Sequence, residues 1–194
     1  MAKKVFIWSA HPRAGSLSDA LADAYAEGVR QGGGEVRQLN LSAMTFGTEF
    51  PGYTGEKPPL EPDLKAWQDN ILWADHLFFV HPYWWGAMPS RAKSVLDRAL
   101  LPGFGFKYQE QGSGWDKLLT GKTADAIITS DTPPLIDTLI YRKPARRVLK
   151  KQVFEFCGVK VGKVVQLGPI TASKPAKIEG WIKQVEQMGA KAAT

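Results

Sequence analysis

The sequence predicts an α/β fold in which a five-stranded parallel sheet carries helices on both faces. Three observations lead there. Apolar runs at residues 4–10 and 76–81 are too continuous for strands with one wet face, and read as strands buried on both sides. Segments with apolar residues at helical spacing alternate with these runs. The 194 residues, 44% hydrophobic and 23% charged, suit one domain over 1–194 that buries its core without staples.

The first strand, 4–10, feeds a helix over 17–31, where Leu17, Leu21, Tyr25 and Val29 recur every four residues. Gly32-Gly33-Gly34 ends it. Residues 35–41 alternate Val36, Leu39 and Leu41 with polar residues, as an edge strand does. A long loop over 42–60, rich in Gly, Pro, Thr and aromatics, precedes a helix at 62–74 marked by Leu64, Trp67, Ile71 and Ala74. Strand 76–81 and helix 89–100 follow, with Pro89 suited to the helix's first turn. A second long loop covers 101–121. Strand 123–129, a mostly helical stretch at 135–156, strand 161–167 and a terminal helix at 174–192 complete the chain. Right-handed crossovers restrict the topology, and five strands favour the order 2-1-3-4-5 over a six-stranded dinucleotide-binding sheet.

The lone cysteine, Cys157, excludes an intrachain disulfide and sits among apolar neighbours as a small buried hydrophobe. Residues 1–4 run straight into an apolar stretch too short for a signal sequence, and no apolar run is long enough to span a bilayer. A cytoplasmic location is the expectation. The net charge is +6, with Arg142, Lys143, Arg146, Arg147, Lys150, Lys151, Lys160 and Lys163 close together. The favoured reading is a solvated helix face; the functional one is attraction of an anion such as a nicotinamide cofactor phosphate. Nucleic acid is disfavoured, because aromatics are not interleaved with the basic stretch and no nucleic-acid motif occurs.

In such sheets ligands bind beyond the carboxyl ends of the strands, at the switch point between strands 1 and 3. The loop after strand 1 holds His11, Arg13, Ser16 and Ser18 ahead of a helix start, a setting that favours phosphate over mere capping. It is neither a Walker loop nor a three-glycine dinucleotide fingerprint. The loop after strand 3 reads His81-Pro82-Tyr83-Trp84-Trp85-Gly86-Ala87-Met88-Pro89. Three consecutive aromatics cannot all enter one core, so this run predicts a platform for a planar ligand. Ser130, Asp131 and Thr132 offer further donors, though Ser-Asp-Thr-Pro is also ordinary turn chemistry. Phe104, Phe106 and Tyr108, in a glycine-flanked loop, are candidates to wall a substrate pocket with Trp85, or to meet a second subunit. His76 reads as a strand start without a ligand role, and Asp97 and Arg98 as residues of a helix face. No metal-ligand spacing, protease triad or nucleophile elbow is present, and no catalytic side chain is assigned.

Ala10-His11-Pro12 with Ser16-Leu17-Ser18, the run from His81 to Pro89, Leu96-Asp97-Arg98 and Gly103-Phe104-Gly105-Phe106-Lys107-Tyr108 together resemble the flavodoxin-like NAD(P)H:quinone oxidoreductase family. That family includes quinone reductases and the ancillary flavoproteins of potassium efflux systems. The resemblance spans residues 4–168. It implies a flavin, FMN rather than FAD in so compact a chain, although FAD would fit between subunits. The phosphate would rest on His11, Ser16, Leu17 and Ser18 with Arg13, and the ring along Pro82, Tyr83, Trp84, Trp85 and Gly86. The loop at Ser130, Asp131 and Thr132 would meet the ring's pyrimidine side; many members have Thr-Thr-Gly-Gly there, and this sequence does not. It also has no clear match for the family's Tyr/His pair beside the reduced flavin, Tyr141 being merely near in sequence. The implied chemistry is a ping-pong cycle: NAD(P)H delivers hydride to the flavin, then a quinone or related electrophile (an azo dye or nitroaromatic) takes two electrons. A homodimer is implied, and the seven tryptophans and aromatic loops fit one. Two other readings compete. One is a flavin-bearing regulatory subunit docked on a transporter through residues 142–151. The other is an electron carrier, for which the chain is too basic.

Overall fold

The computed structural model describes residues 2–52 and 59–194. The elements are β1 (Lys4–Ser9), α1 (Leu17–Gln31), β2 (Glu35–Asn40), α2 (Pro62–Trp73), β3 (His76–Pro82), α3 (Ser90–Ala99), β4 (Phe106–Tyr108), β5 (Trp115–Lys117), β6 (Thr123–Thr129), α4 (Pro134–Leu139), α5 (Pro144–Arg147), α6 (Glu155–Cys157), β7 (Lys160–Leu167) and α7 (Pro175–Ala192). A π-helical stretch, Val148–Phe154, joins α5 to α6. The five-stranded sheet has the order β2-β1-β3-β6-β7 with every pair parallel. Setting aside the small β4-β5 hairpin, this is the expected 2-1-3-4-5 order.

Alternation along the strands sorts the core into two layers. Val5, Ile7, Phe78, Val80 and Ile127 face α1 and α7, while Phe6, Trp8, Leu77, Phe79 and Ala126 face α2, α3 and the helical stretch before β7. Helices α1 and α7 touch backbone to backbone. A Cβ at Gly28 would lie 1.8 Å from the Glu186 carbonyl oxygen, and one at Gly189 would lie 2.1 Å from that of Tyr25. Any side chain at either position would drive the two helices apart.

Three expectations need correction. Residues 101–121 are not loop throughout, because β4 and β5 pair as an antiparallel hairpin. Trp115 anchors it: the indole N–H donates to the Phe156 carbonyl at 2.9 Å and the two rings stack at 4.6 Å. The helical stretch at 135–156 is interrupted, since Arg142 and Lys143 take φ of 60° and 59° between α4 and α5. Arg98 does not lie on a solvated face. It is buried, and its Nη1 donates at 2.6 Å to both the Gly47 carbonyl and Glu61 Oε1, tying the loop after β2 to α3. Of the loop expected at 42–60, residues 53–58 lie outside the described residues.

Candidate functional site

A cavity of about 300 Å³ opens beyond the carboxyl ends of β1, β3 and β6, where the order of strands reverses. His11, Arg13, Leu17 and Ser18 line it from the first loop, Pro82, Tyr83 and Trp84 from the second, and Ser130, Asp131 and Thr132 from the third. Thr129 and Ile170 complete the wall. These ten anticipated residues therefore converge; Ser16, Trp85 and Gly86 do not line the cavity.

Ser16 is occupied elsewhere. It is the N-cap of α1: its Oγ accepts from the Asp19 amide at 3.2 Å, and Asp19 Oδ2 accepts from the Ser16 amide at 3.1 Å. Asp19 Oδ1 is held by the Ser9 hydroxyl. With these bonds made, the amides of Leu17 and Ser18 at the start of α1 have no partner among the described residues, and neither has the Ser18 hydroxyl, which is buried. Two free N–H groups, one free hydroxyl and the positive end of a fifteen-residue helix face one space.

His11 Nδ1 accepts from the Arg13 amide at 3.0 Å, which leaves the proton on Nε2. Its ring meets Trp84 edge to face at 5.6 Å. Burial, then the nearby Arg13, lowers its pKa, so the ring is neutral at pH 7. Arg13 is exposed and supplies positive charge at this end.

The second loop turns sharply. Trp84 and Ala87 exchange backbone hydrogen bonds at 2.9 and 3.0 Å around Trp85 and Gly86, which take φ of 49° and 81°. Two positive φ values make a type I′ turn, the geometry that returns a chain in two residues. It lifts Trp85 fully into solvent and leaves Trp84 half exposed at the cavity. Gly86 lines an adjoining apolar cavity of about 130 Å³ with His81 and Met88. Phe106 and Tyr108 line a further cavity of about 240 Å³, and Phe104 packs against the core. The proposed aromatic walls are thus distributed over separate spaces.

In the third loop Asp131 Oδ1 accepts from the Thr171 amide at 2.7 Å and hydroxyl at 2.8 Å, and these bonds lower its pKa. Ser130 Oγ accepts from the Thr132 amide at 2.9 Å, so its own proton is left to donate. The Asp131 amide also has no partner among the described residues.

One group was not foreseen. Tyr83 Oη donates to Asp137 Oδ1 at 3.0 Å, and Arg146 Nη2 binds Asp137 Oδ2 at 2.7 Å. Burial, with Asp137 beside it, pushes the Tyr83 phenol up to about 12. Asp137 is buried, so Arg146 leaves the solvated face on which the basic run placed it. The available signal was a single acid inside Leu135-Ile136-Asp137-Thr138-Leu139-Ile140. Among the described residues no His, Cys, Asp and Glu cluster could hold a metal ion, and no helix is long and apolar enough to cross a membrane.

Known proteins resemble this chain in sequence and in fold. A ribosyldihydronicotinamide dehydrogenase-like protein of Penicillium crustosum is 30% identical over 151 residues, 65% of this chain and 57% of its own length. NAD(P)H dehydrogenase (quinone) 1 of Rattus norvegicus is 24% identical over 95% of this chain and 77% of its own. The fold matches an FMN-dependent NADH-azoreductase of Bacillus anthracis, solved in complex with FMN, with a TM-score of 0.72 and 20% identity over 99% of this chain and 100% of that one. A family model described as a flavodoxin-like fold matches residues 3–189, and the chain belongs to that family.

Proposed function

We propose that the protein is a flavin-dependent NAD(P)H:quinone-type oxidoreductase that holds FMN in the cavity at the ends of β1, β3 and β6. One observation carries this reading: the buried Ser18 hydroxyl has no partner among the described residues and lines that cavity beside the amides of Leu17 and Ser18, which have none there either. A buried polar group without a partner costs about 1–3 kcal/mol. A phosphate at a helix N-terminus supplies the missing acceptor. The residues present therefore fit the group, and the FMN bound by the azoreductase neighbour supports FMN over FAD.

In this reading Ser18, the Leu17 and Ser18 amides and Arg13 hold the phosphate, and Ser16 acts through its cap. The Nε2–H of His11 adds a neutral donor. Pro82, Tyr83 and Trp84 border the ring on one side. The amides of Tyr83 and Trp84 are already bonded to Thr129 and Ala87, so donors for the ring's polar edge come from the third loop, through the Asp131 amide and the Ser130 hydroxyl. Donors aimed at that edge favour negative charge gathering on it. Tyr83 keeps its proton at pH 7 and, through Asp137 and Arg146, fixes the wall it belongs to. Bound there, the flavin supplies hydride acceptance from NAD(P)H and two-electron delivery to a quinone or related electrophile.

We further propose a homodimer in the cytoplasm. Leu135, Leu139 and Ile140, each more than half exposed, support association through α4 and its end, and the wholly exposed Trp85 adds to the apolar surface.

The test is an absorption spectrum of purified protein with the released cofactor identified by mass, followed by NAD(P)H oxidation with a panel of quinones. A colourless protein that cannot be loaded with flavin ends the proposal. Bound flavin without turnover moves it to the regulatory reading.

A further inference from the structure

A cavity of about 360 Å³ lies outside the turn that joins α4 to α5, with Tyr141, Arg142, Arg147, Val148, Lys151 and Gln152 in its wall. Three of these carry positive charge. Lys151 is neutralised by Glu155 at 2.7 Å. Arg142 and Arg147 have no ion pair and no side-chain hydrogen bond among the described residues. Two like charges gathered without a counter-charge attract an anion, and guanidinium groups bind phosphate through paired N–H donors.

The backbone shows that this grouping is imposed. Arg142 and Lys143 are consecutive left-handed residues, a conformation unfavourable for side chains with a Cβ. The surroundings enforce it. The Tyr141 amide donates to the Ile136 carbonyl at 3.3 Å, the Lys143 amide donates to the Asp137 carbonyl at 2.9 Å, and the buried Asp137–Arg146 pair closes the turn from its far side. That same Asp137 accepts from Tyr83, which lines the first cavity. The basic cavity is thus bonded to the wall of the proposed flavin site. Tyr141, 56% exposed, adds an aromatic face.

We propose that this cavity takes the 2′-phosphoadenosine end of NADPH, so that the protein selects NADPH over NADH; this rests on the NAD(P)H-dependent reading above. The 2′-phosphate is the dianion that Arg142 and Arg147 lack, and the adenine would lie against Tyr141.

The experiment is calorimetric titration of the protein as purified with adenosine 2′,5′-bisphosphate, AMP and inorganic phosphate, repeated on Arg142→Asn with Arg147→Gln. Asparagine is chosen because it tolerates the left-handed region. Arg147→Gln alone is the second variant, with the native turn untouched. The bisphosphate is expected to bind about tenfold more tightly than AMP, and the double variant to lose that difference. In flavin-loaded protein the KM for NADPH rises about tenfold in the double variant, while kcat and the KM for NADH stay unchanged. Equal binding of bisphosphate and AMP, a preference that survives both substitutions, or inorganic phosphate binding as tightly as the nucleotide overturns the proposal. A bisphosphate preference in a protein that oxidises no NADPH upholds the subsite and sinks the oxidoreductase reading. Equal turnover with NADH and NADPH sinks the subsite alone.

Discussion

Ser16 and Ser18 stand two residues apart in one loop, yet replacing each by alanine is expected to move stability in opposite directions. Ser16 closes the capping box of α1, so Ser16→Ala removes the Oγ that accepts from the Asp19 amide and costs about 1 kcal/mol. Ser18 is 1% exposed and its hydroxyl is unpaired. In flavin-free protein, Ser18→Ala deletes an unsatisfied buried group and gains helix propensity, which together stabilise by about 1 kcal/mol. The loaded protein reverses the sign. A hydroxyl bonded to a phosphate is a charge-assisted bond of about 1.5–3 kcal/mol, so FMN affinity falls by about 10- to 100-fold. Urea unfolding of flavin-free protein measures the first quantity, and quenching of flavin fluorescence on titration measures the second. A Ser18→Ala protein that loses stability without flavin, or binds FMN as tightly as the parent, refutes the reasoning from the orphaned hydroxyl.

Other outcomes follow from the same geometry. Trp84→Ala weakens FMN binding while Trp85→Ala leaves it within about twofold, since only Trp84 lines the cavity; fluorescence titration decides. Asp137→Asn leaves Arg146 as a largely buried unpaired charge and lowers unfolding free energy by about 3 kcal/mol in urea. Burial pushes His81 down to about 4 from 6.5, so the folded state holds a neutral ring that the unfolded chain protonates. Its contribution is complete above pH 6.5 and disappears by pH 4, a loss of about 3 kcal/mol on pH titration of urea unfolding that His81→Gln removes. Burial likewise pushes the Cys157 thiol up to about 12, so a thiol reagent such as an aromatic disulfide reacts with it only after denaturation.

The sheet was legible because its strands are apolar without interruption. The run in β1 from Val5 to Trp8 and that in β3 from Leu77 to Val80 admit no wet face, and the observed ends fall within a residue or two of those expected. The hairpin was not legible, because three-residue strands are shorter than any period that marks them. The break after α4 escaped for a different reason. Arg142 and Lys143 are held left-handed by bonds to Ile136 and Asp137, and nothing in two adjacent basic residues announces that conformation. At the site, the three loops were readable from topology, but the choice between neighbours was not. Which serine caps α1 depends on a two-residue shift in where the helix starts, and a two-residue turn decides that Trp84 rather than Trp85 stays at the cavity. The Asp137–Arg146 pair crosses nine positions and a helix break, a spacing that no single-helix periodicity contains.

The two ends of the sheet differ in a way that bears on where a ligand belongs. At the amino ends of β3 and β6, Tyr25, His76, Thr123 and Asp125 form a closed network: the Tyr25 hydroxyl meets His76 Nε2 at 2.9 Å, His76 Nδ1 meets Thr123 Oγ1 at 2.7 Å, and Asp125 accepts from Tyr25 and from the Lys163 amide. Every polar side chain there has found a partner inside the protein, which is how a structural network behaves. Among the described residues, the buried Ser18 Oγ, His81 Nε2 and Arg146 Nε have no partner, and neither have the buried Trp8 Nε1, Trp67 Nε1 and Glu61 Oε2. A domain that satisfies its buried hydrogen bonds at one end of a sheet has the chemistry to do so at the other. Ser18, alone among these six, lines the cavity where the strand order reverses, and an unpartnered buried hydroxyl at that place is the pattern left when a bond is reserved for a molecule from outside.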